Sequence, residues 1–297
     1  METLQWLQQH LPQPAFDALK FTNGLILLFV LLVPLERLFA QRPQRVLRPR
    51  FATDVGWYFV SSLLPGRLLW LPLLALAWLA PQLTPAAWQT AVGALPGWAR
   101  LAAGLVVAEL GAYWGHRWMH AVPLLWRFHA LHHSAEQMDW LVNTRAHPVD
   151  LVFTRLCSLL PLYALGLAQP AAGRVDWLPL LVTLLAACWG YFVHANLRWR
   201  FGALEHVVAT PAFHHRHHAN EGASLGHANY APTMPWVDRL FGTYRVGGWP
   251  AAYGIDQPMA PTLAGQLLQP FRADLNSPAA AGSRPSAPPG GPQTRSA

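Results

Sequence analysis

Residues 115–134 read GHRWMHAVPLLWRFHALHHS, and residues 210–218 read TPAFHHRHH. Thirteen of the fourteen histidines lie between His116 and His227. Three of the clusters have helical spacing: His116/His120, His129/His132/His133 and His214/His217/His218. Positions i, i+3 and i+4 share a helix face, so the spacing predicts short helices that each aim their rings into one cavity. The HxxHH pattern occurs twice, each time after a phenylalanine (Phe128, Phe213), which predicts two comparable helices facing one another. A neutral imidazole offers a lone pair without adding negative charge, so many of them can surround two cations at once. A lone buried histidine is usually a hydrogen-bonded core residue, and a histidine tract can be merely compositional. Neither reading produces three clusters in helical register.

The rest of the chain places those helices in a membrane. Of 297 residues, 53% are hydrophobic and 12% charged, with 15 tryptophans, and mean hydropathy is +0.20. That is too apolar for a soluble domain of this size. Apolar stretches run over about 21–40, 54–80, 98–114, 149–168 and 175–193, each near the ~20 residues a bilayer span needs. Four or five spans are expected. Arg67, beside Pro65 and Gly66, marks the second stretch as a candidate broken span, re-entrant hairpin or interfacial helix followed by a span. The expectation is an all-α, multi-pass transmembrane bundle with a cytosolic helical cap. It divides into a transmembrane region over 1–100, a site-bearing domain over 101–250 with a transmembrane hairpin near 149–193, and a disordered tail over 275–297, where Pro, Ala, Gly and Ser prevail.

Net charge is +7, carried almost entirely by arginine. Its placement argues against nucleic acid as the partner. Arg37, Arg42, Arg45, Arg48 and Arg50 crowd one loop, and most others lie among the histidine motifs, whereas 81–97 and 169–175 hold only Arg174. By the positive-inside bias the arginine loop and the histidines face the cytoplasm and the amino terminus lies outside. Cys157 and Cys188 sit in apolar stretches without metal-finger spacing and read as small core residues.

Bis-histidine haem leaves most of these rings unexplained. Catalytic zinc commonly comes with three ligands and a Glu base as in HExxH, which is missing from this sequence. A transporter would bury ligands and acids deep in its spans. Soluble di-iron bundles use Glu-x-x-His, also missing here. Two irons held by histidine alone fit the count best. All-nitrogen sites bind zinc tightly too, so zinc in purified protein is compatible with this reading.

The series HRWMH, WRFHALHHS, RAHPVD, FVHANLR, TPAFHHRHH and NYAPTMPWVDRLFGTY, from about Ala108 to Tyr244, closely resembles the fatty acid hydroxylase / sterol desaturase superfamily of integral-membrane di-iron enzymes. The resemblance implies metal ligation by His116, His120, His129, His132, His133, His194, His214, His217 and His218. His147 also matches a family position but directly precedes a proline, which suits a loop beside the ligands or the substrate. His206, His215 and His227 fall outside the motifs and read as supporting residues, although His215 is an alternative to His214. Metal-bound imidazoles hand their second N–H to carboxylates or carbonyls. Glu109, Asp139, Asp150, Glu205 and Asp238 are in reach, and we single out Asp139 and Asp238.

The resemblance further implies O2-dependent hydroxylation of an unactivated C–H bond in a lipid (fatty acyl, sterol, hopanoid or related). Desaturation, or metal binding without catalysis, is the alternative. No flavin or nicotinamide fingerprint occurs, so electrons are expected from a separate ferredoxin or cytochrome with its reductase, for which the arginine-rich face offers a docking surface, while orientation in the membrane and contact with anionic lipids explain the same arginines at least as well.

Overall fold

The apolar stretches become helices because a backbone in lipid must satisfy its own hydrogen bonds. The computed structural model describes residues 6, 8–168, 177–221 and 228–272. The expected tail and His227 lie outside the described residues. Helix α1 (Gln13–Leu38) runs toward what becomes the histidine end of the bundle. Helix α2 (Phe51–Leu83) runs away from it. After the short α3 (Ala86–Gly93), helix α4 (Gly97–Ala121) returns, bent 116° from α3 across Pro96. Helix α6 (Pro148–Ala164) leads away again, and α7 (Trp177–His194) comes back. The cap is built from α5 (Pro123–His133), α8 (Pro211–His217), α9 (Pro235–Leu240), α10 (Leu263–Leu268) and 3-10 turns at Trp140–Thr144, Gly202–His206 and Gln269–Phe271. Among the described residues β pairing is limited to two isolated bridges, Ala40 with Leu197 and Ala219 with Tyr253.

Helices α1, α2 and α7 are long and apolar enough to cross a membrane, and the bent α3–α4 pair is a fourth candidate, as a broken span or a re-entrant loop. The chain is an integral membrane protein with an all-helical fold. The fourth expected stretch, 149–168, forms α6, which at 17 residues packs against α4 and α2. Arg67 does not break α2. The helix passes through Pro65, Gly66 and Pro72 without interruption, and the guanidinium meets Asp17 of α1 at 2.8 Å.

Two devices hold the bundle at the depth the site needs. Gly111 and Gly115, four residues apart on α4, let α6 approach so closely that a Cβ at Gly111 would land on the carbonyl of Cys157. Ser158 Oγ donates across the same seam to the Ala108 carbonyl at 3.1 Å. At the histidine end, Arg48 grips Asp139 through Nε (2.6 Å) and Nη2 (2.8 Å) and reaches Asp54 with Nη1 (2.7 Å). Arg145 pairs with the other oxygen of Asp54 and with Ser134 Oγ, all of it buried. Two cations and two anions thus pin the start of α2 to the segment after α5. Below, Trp57 Nε1 donates to Gln266 of α10 at 2.7 Å.

Candidate metal centre

Helix α4 ends on His116 and His120, and α7 ends on His194, so the spans themselves carry rings to the cap. Pro123 at the start of α5 and Pro211 at the start of α8 begin the two short helices. Thr210 caps α8 by accepting from the N–H of Phe213. The nine rings form two groups: His116, His120, His129, His133 and His217 in one, and His132, His194, His214 and His218 in the other. Within each group the candidate ligand atoms lie within 4.8 Å of one another.

Each HxxHH motif is divided between the groups, which corrects the expectation that a cluster aims all its rings into one cavity. From position i, position i+4 is rotated by about 40° and i+3 by about 60° the other way. On α5 the i and i+4 rings, His129 and His133, join the first group, and the i+3 ring, His132, joins the second. On α8 the roles reverse: His214 and His218 join the second group and His217 the first.

The nitrogens are arranged for cations. His129 Nε2 lies 3.1 Å from Nε2 of both His116 and His133. In the second group His194 Nε2 lies 3.1 Å from His132 Nε2 and 3.0 Å from His214 Nε2, and His214 to His218 is 3.2 Å. The outer nitrogens fix which atoms carry the lone pairs. His116 Nδ1 donates to the Tyr230 carbonyl (2.7 Å), His129 Nδ1 to Asp150 (2.8 Å), His194 Nδ1 to the Gly190 carbonyl (2.7 Å) and His217 Nδ1 to the Ala228 carbonyl (2.8 Å). The Nε2 lone pairs therefore face one another, which is repulsive unless a cation stands between them. Metal–nitrogen bonds of about 2.0–2.1 Å place neighbouring ligands about 3 Å apart. His217 Nε2 is buried and without a hydrogen-bond partner, as a ligand atom would be. Burial, reinforced by neighbouring rings, holds the pKa of His132, His133, His214, His217 and His218 well below the ordinary value, so these rings are neutral. The residues present fit metal ions.

The other expected residues stand elsewhere. His215 is fully buried but points away, between the His194 and Ala195 carbonyls and the Tyr253 hydroxyl, so the ring in the second group is His214. His147 caps α6, its Nδ1 accepting from Val149 N–H (3.1 Å) and its Nε2 donating to the Leu267 carbonyl (3.1 Å). Asp139 is engaged by Arg48. Asp238 takes the N–H groups of Tyr230 (2.8 Å) and Ala231 (2.9 Å), so it steadies the loop whose carbonyl holds His116. Glu109 takes the N–H groups of Thr233 and Met234, and Glu205 those of Arg200 and Phe201. Of the five acids only Asp150 touches a clustered ring, because the first turn of α6 lies directly behind α5. The pairing of Arg48 and Arg145 with Asp54 and Asp139 escaped the sequence reading, which counted the arginines only as positive charge, since a buried ion pair leaves no spacing signal.

An apolar cavity of about 480 Å³ lies among α4, α6, α7 and the segments 207–208 and 232–236. Its wall includes Leu105, Ala112, Val182, Trp189 and Trp236, and Ala112 is one helical turn from His116.

A helical membrane bundle whose spans end on two buried histidine groups is a histidine-rich membrane protein that could hold metal at those groups. Residues 101–243, just under half of the chain, match the family model described as fatty acid hydroxylase. Ornithine lipid hydroxylase OlsE of Rhizobium tropici is 37% identical over 171 residues, 57% of this chain and 49% of that protein. Human alkylglycerol monooxygenase is 30% identical over 151 residues, 51% of this chain and 32% of its own length. The fatty acid hydroxylase vlmA of a Lecanicillium species is 31% identical over 173 residues, 51% of this chain and 44% of that protein. The chain thus spans about half the length of these relatives or less. No solved structure matches it.

Proposed function

We propose that the protein is a lipid hydroxylase that holds two iron ions, one in each histidine group, on the cytoplasmic side of the membrane. The observation that carries the reading is the pair of neutral, buried nitrogen groups together with an apolar cavity walled by membrane spans. Bound iron would supply activation of O2 and oxidation of an unactivated C–H bond. The balance is one O2, two electrons and two protons, with one oxygen atom entering the lipid and the other leaving as water. Electrons come from a separate redox protein, and the likeness to lipid hydroxylases and monooxygenases supports hydroxylation as the outcome.

The chain's own residues do the positioning. His116, His120, His129, His133 and His217 would hold one ion, and His132, His194, His214 and His218 the other. Asp150 keeps the His129 proton on Nδ1 and so leaves Nε2 free to coordinate. The carbonyls of Gly190, Ala228 and Tyr230 do the same for His194, His217 and His116. The apolar cavity excludes water and admits an acyl chain from the bilayer.

The test is mass spectrometry of lipids extracted from membranes that carry the protein, an electron donor system and oxygen-18 gas. Label appearing in a lipid hydroxyl with the wild type and not with His132→Ala is expected. Two irons per chain with no labelled product from any lipid supplied would favour metal binding without catalysis, and an unlabelled lipid that has lost two hydrogens would favour desaturation.

A further inference from the structure

Two cap segments lie lower than the histidines. Trp189 Nε1 donates to the Ala209 carbonyl at 3.0 Å, and Trp189 is about 7 Å short of the end of α7 by helix rise. Glu109 accepts from Thr233 and Met234 at 2.8 and 2.7 Å, about 10 Å before His116 along α4. Segments 207–209 and 232–234 therefore run alongside the spans, and Val207, Met234 and Trp236 form part of the cavity wall.

The outer surface of this rim is apolar where an aqueous surface would be polar. Phe201, Leu204, Val207 and Leu240 are 41%, 52%, 55% and 66% exposed. They form one patch, because the Gly202–His206 turn packs on α9, His206 Nδ1 meets Tyr244 Oη at 2.8 Å, and Arg239 lies over the Tyr244 ring. Arginines surround it: Arg198, Arg200, Arg239 and Arg245 are all exposed. The acids of the same segments are turned inward, Glu205 onto Arg200 and the backbone and Asp238 onto backbone N–H groups. The outward field is positive around an apolar centre.

We propose that this rim is a docking surface for anionic bilayer lipid, seated in the headgroup zone at the mouth of the apolar cavity. Leucine and phenylalanine enter the acyl boundary while arginine reaches phosphate, the pairing that holds amphipathic segments on anionic membranes. An acidic soluble carrier matches the charge, but it does not match apolar side chains set level with the spans. The rim would then concentrate negatively charged lipids where the cavity opens.

The experiment uses the full chain in nanodiscs, with Cys157→Ala and Cys188→Ala as background and an environment-sensitive fluorophore on Leu204→Cys, Leu240→Cys or Glu136→Cys. Glu136 is exposed in the turn after α5. Spin-labelled lipid is expected to quench the first two probes about twofold or more over the third, with neutral acrylamide giving the reverse order. Brominated phosphatidylglycerol should quench the Leu204→Cys and Leu240→Cys probes more than brominated phosphatidylcholine at equal mole fraction. The Arg198→Gln/Arg239→Gln/Arg245→Gln variant should remove that difference. Acrylamide reaching the rim as freely as Glu136→Cys, or protection that arises only when an acidic redox protein is added, would overturn the proposal, as would equal quenching by the two lipids. No readout involves metal or turnover, so its failure is separate from failure of the hydroxylase reading.

Discussion

The Asp150 carboxylate on His129 Nδ1 isolates one ring's contribution. Asp150→Asn keeps the shape but removes the charge that makes the imidazole basic. We expect about a 10- to 100-fold loss of metal affinity, read by chelator competition, with helical content unchanged. His147 gives a different test, because it is structural here. Burial lowers its pKa from 6.5. Below that value the unfolded chain takes up a proton that the folded ring refuses, so stability falls as the pH drops and levels off once the folded ring titrates. Protonation at Nδ1 would also end its cap on Val149. The thermal midpoint of the wild type should therefore fall more between neutral pH and pH 5 than that of His147→Gln, and parallel curves would refute this. Eight of the nine clustered rings were legible from i, i+3, i+4 spacing, and His194 came from the family resemblance alone. Which carboxylate sits behind them was not, because that depends on the angle at which α6 crosses α5.

Between elements, the seam of α4 and α6 rests on the absence of two side chains. Gly111→Leu should push the helices apart and move His116 and His120 with α4, lowering both metal content and thermal stability, whereas Gly93→Ala, where nothing lies within 4 Å, should change neither. The GAYWG stretch at 111–115 carried this information, but within an apolar run it looked like ordinary span sequence. The Arg48, Asp139, Asp54 and Arg145 cluster is sensitive in another way. Asp54→Ala would leave the buried Arg145 guanidinium without its carboxylate and Arg48 with Asp139 alone, a loss of about 3–5 kcal/mol, visible as a lower unfolding midpoint in detergent. Arginines 48 and 145 entered the sequence reading as part of a positive-inside count, because composition cannot separate a buried ion-paired guanidinium from one facing the cytosol. Likewise Pro65, Gly66 and Arg67 suggested a broken span, and Asp17, fifty positions away, supplies the partner that keeps it whole.

For the whole molecule, the histidine groups join two spans to two cap helices: α4, α5, α7 and α8 each contribute rings. Removing the ions should leave facing lone pairs in a buried space and release the linkage between spans and cap. We expect chelation to lower the thermal midpoint of the wild type, by up to about 4 kcal/mol per ion at a thousandfold excess over Kd. Refilling with zinc should recover stability without hydroxylation, which would separate folding from chemistry. The all-helical membrane architecture was legible because apolar length and histidine register are local patterns. The division of rings between two groups was not, since it depends on two short helices meeting in space.

That division also has a consequence in time. A ribosome releases His116, His120, His129 and His133 early, so the first group nearly exists before α7 has been made. The second group has only His132 at that stage, and it must wait for His194 and for the closing turn at His214 and His218. Were ions bound, the order of synthesis would let the first group gather four of its five rings before α7 is made, whereas the second would gather three of its four only with α8.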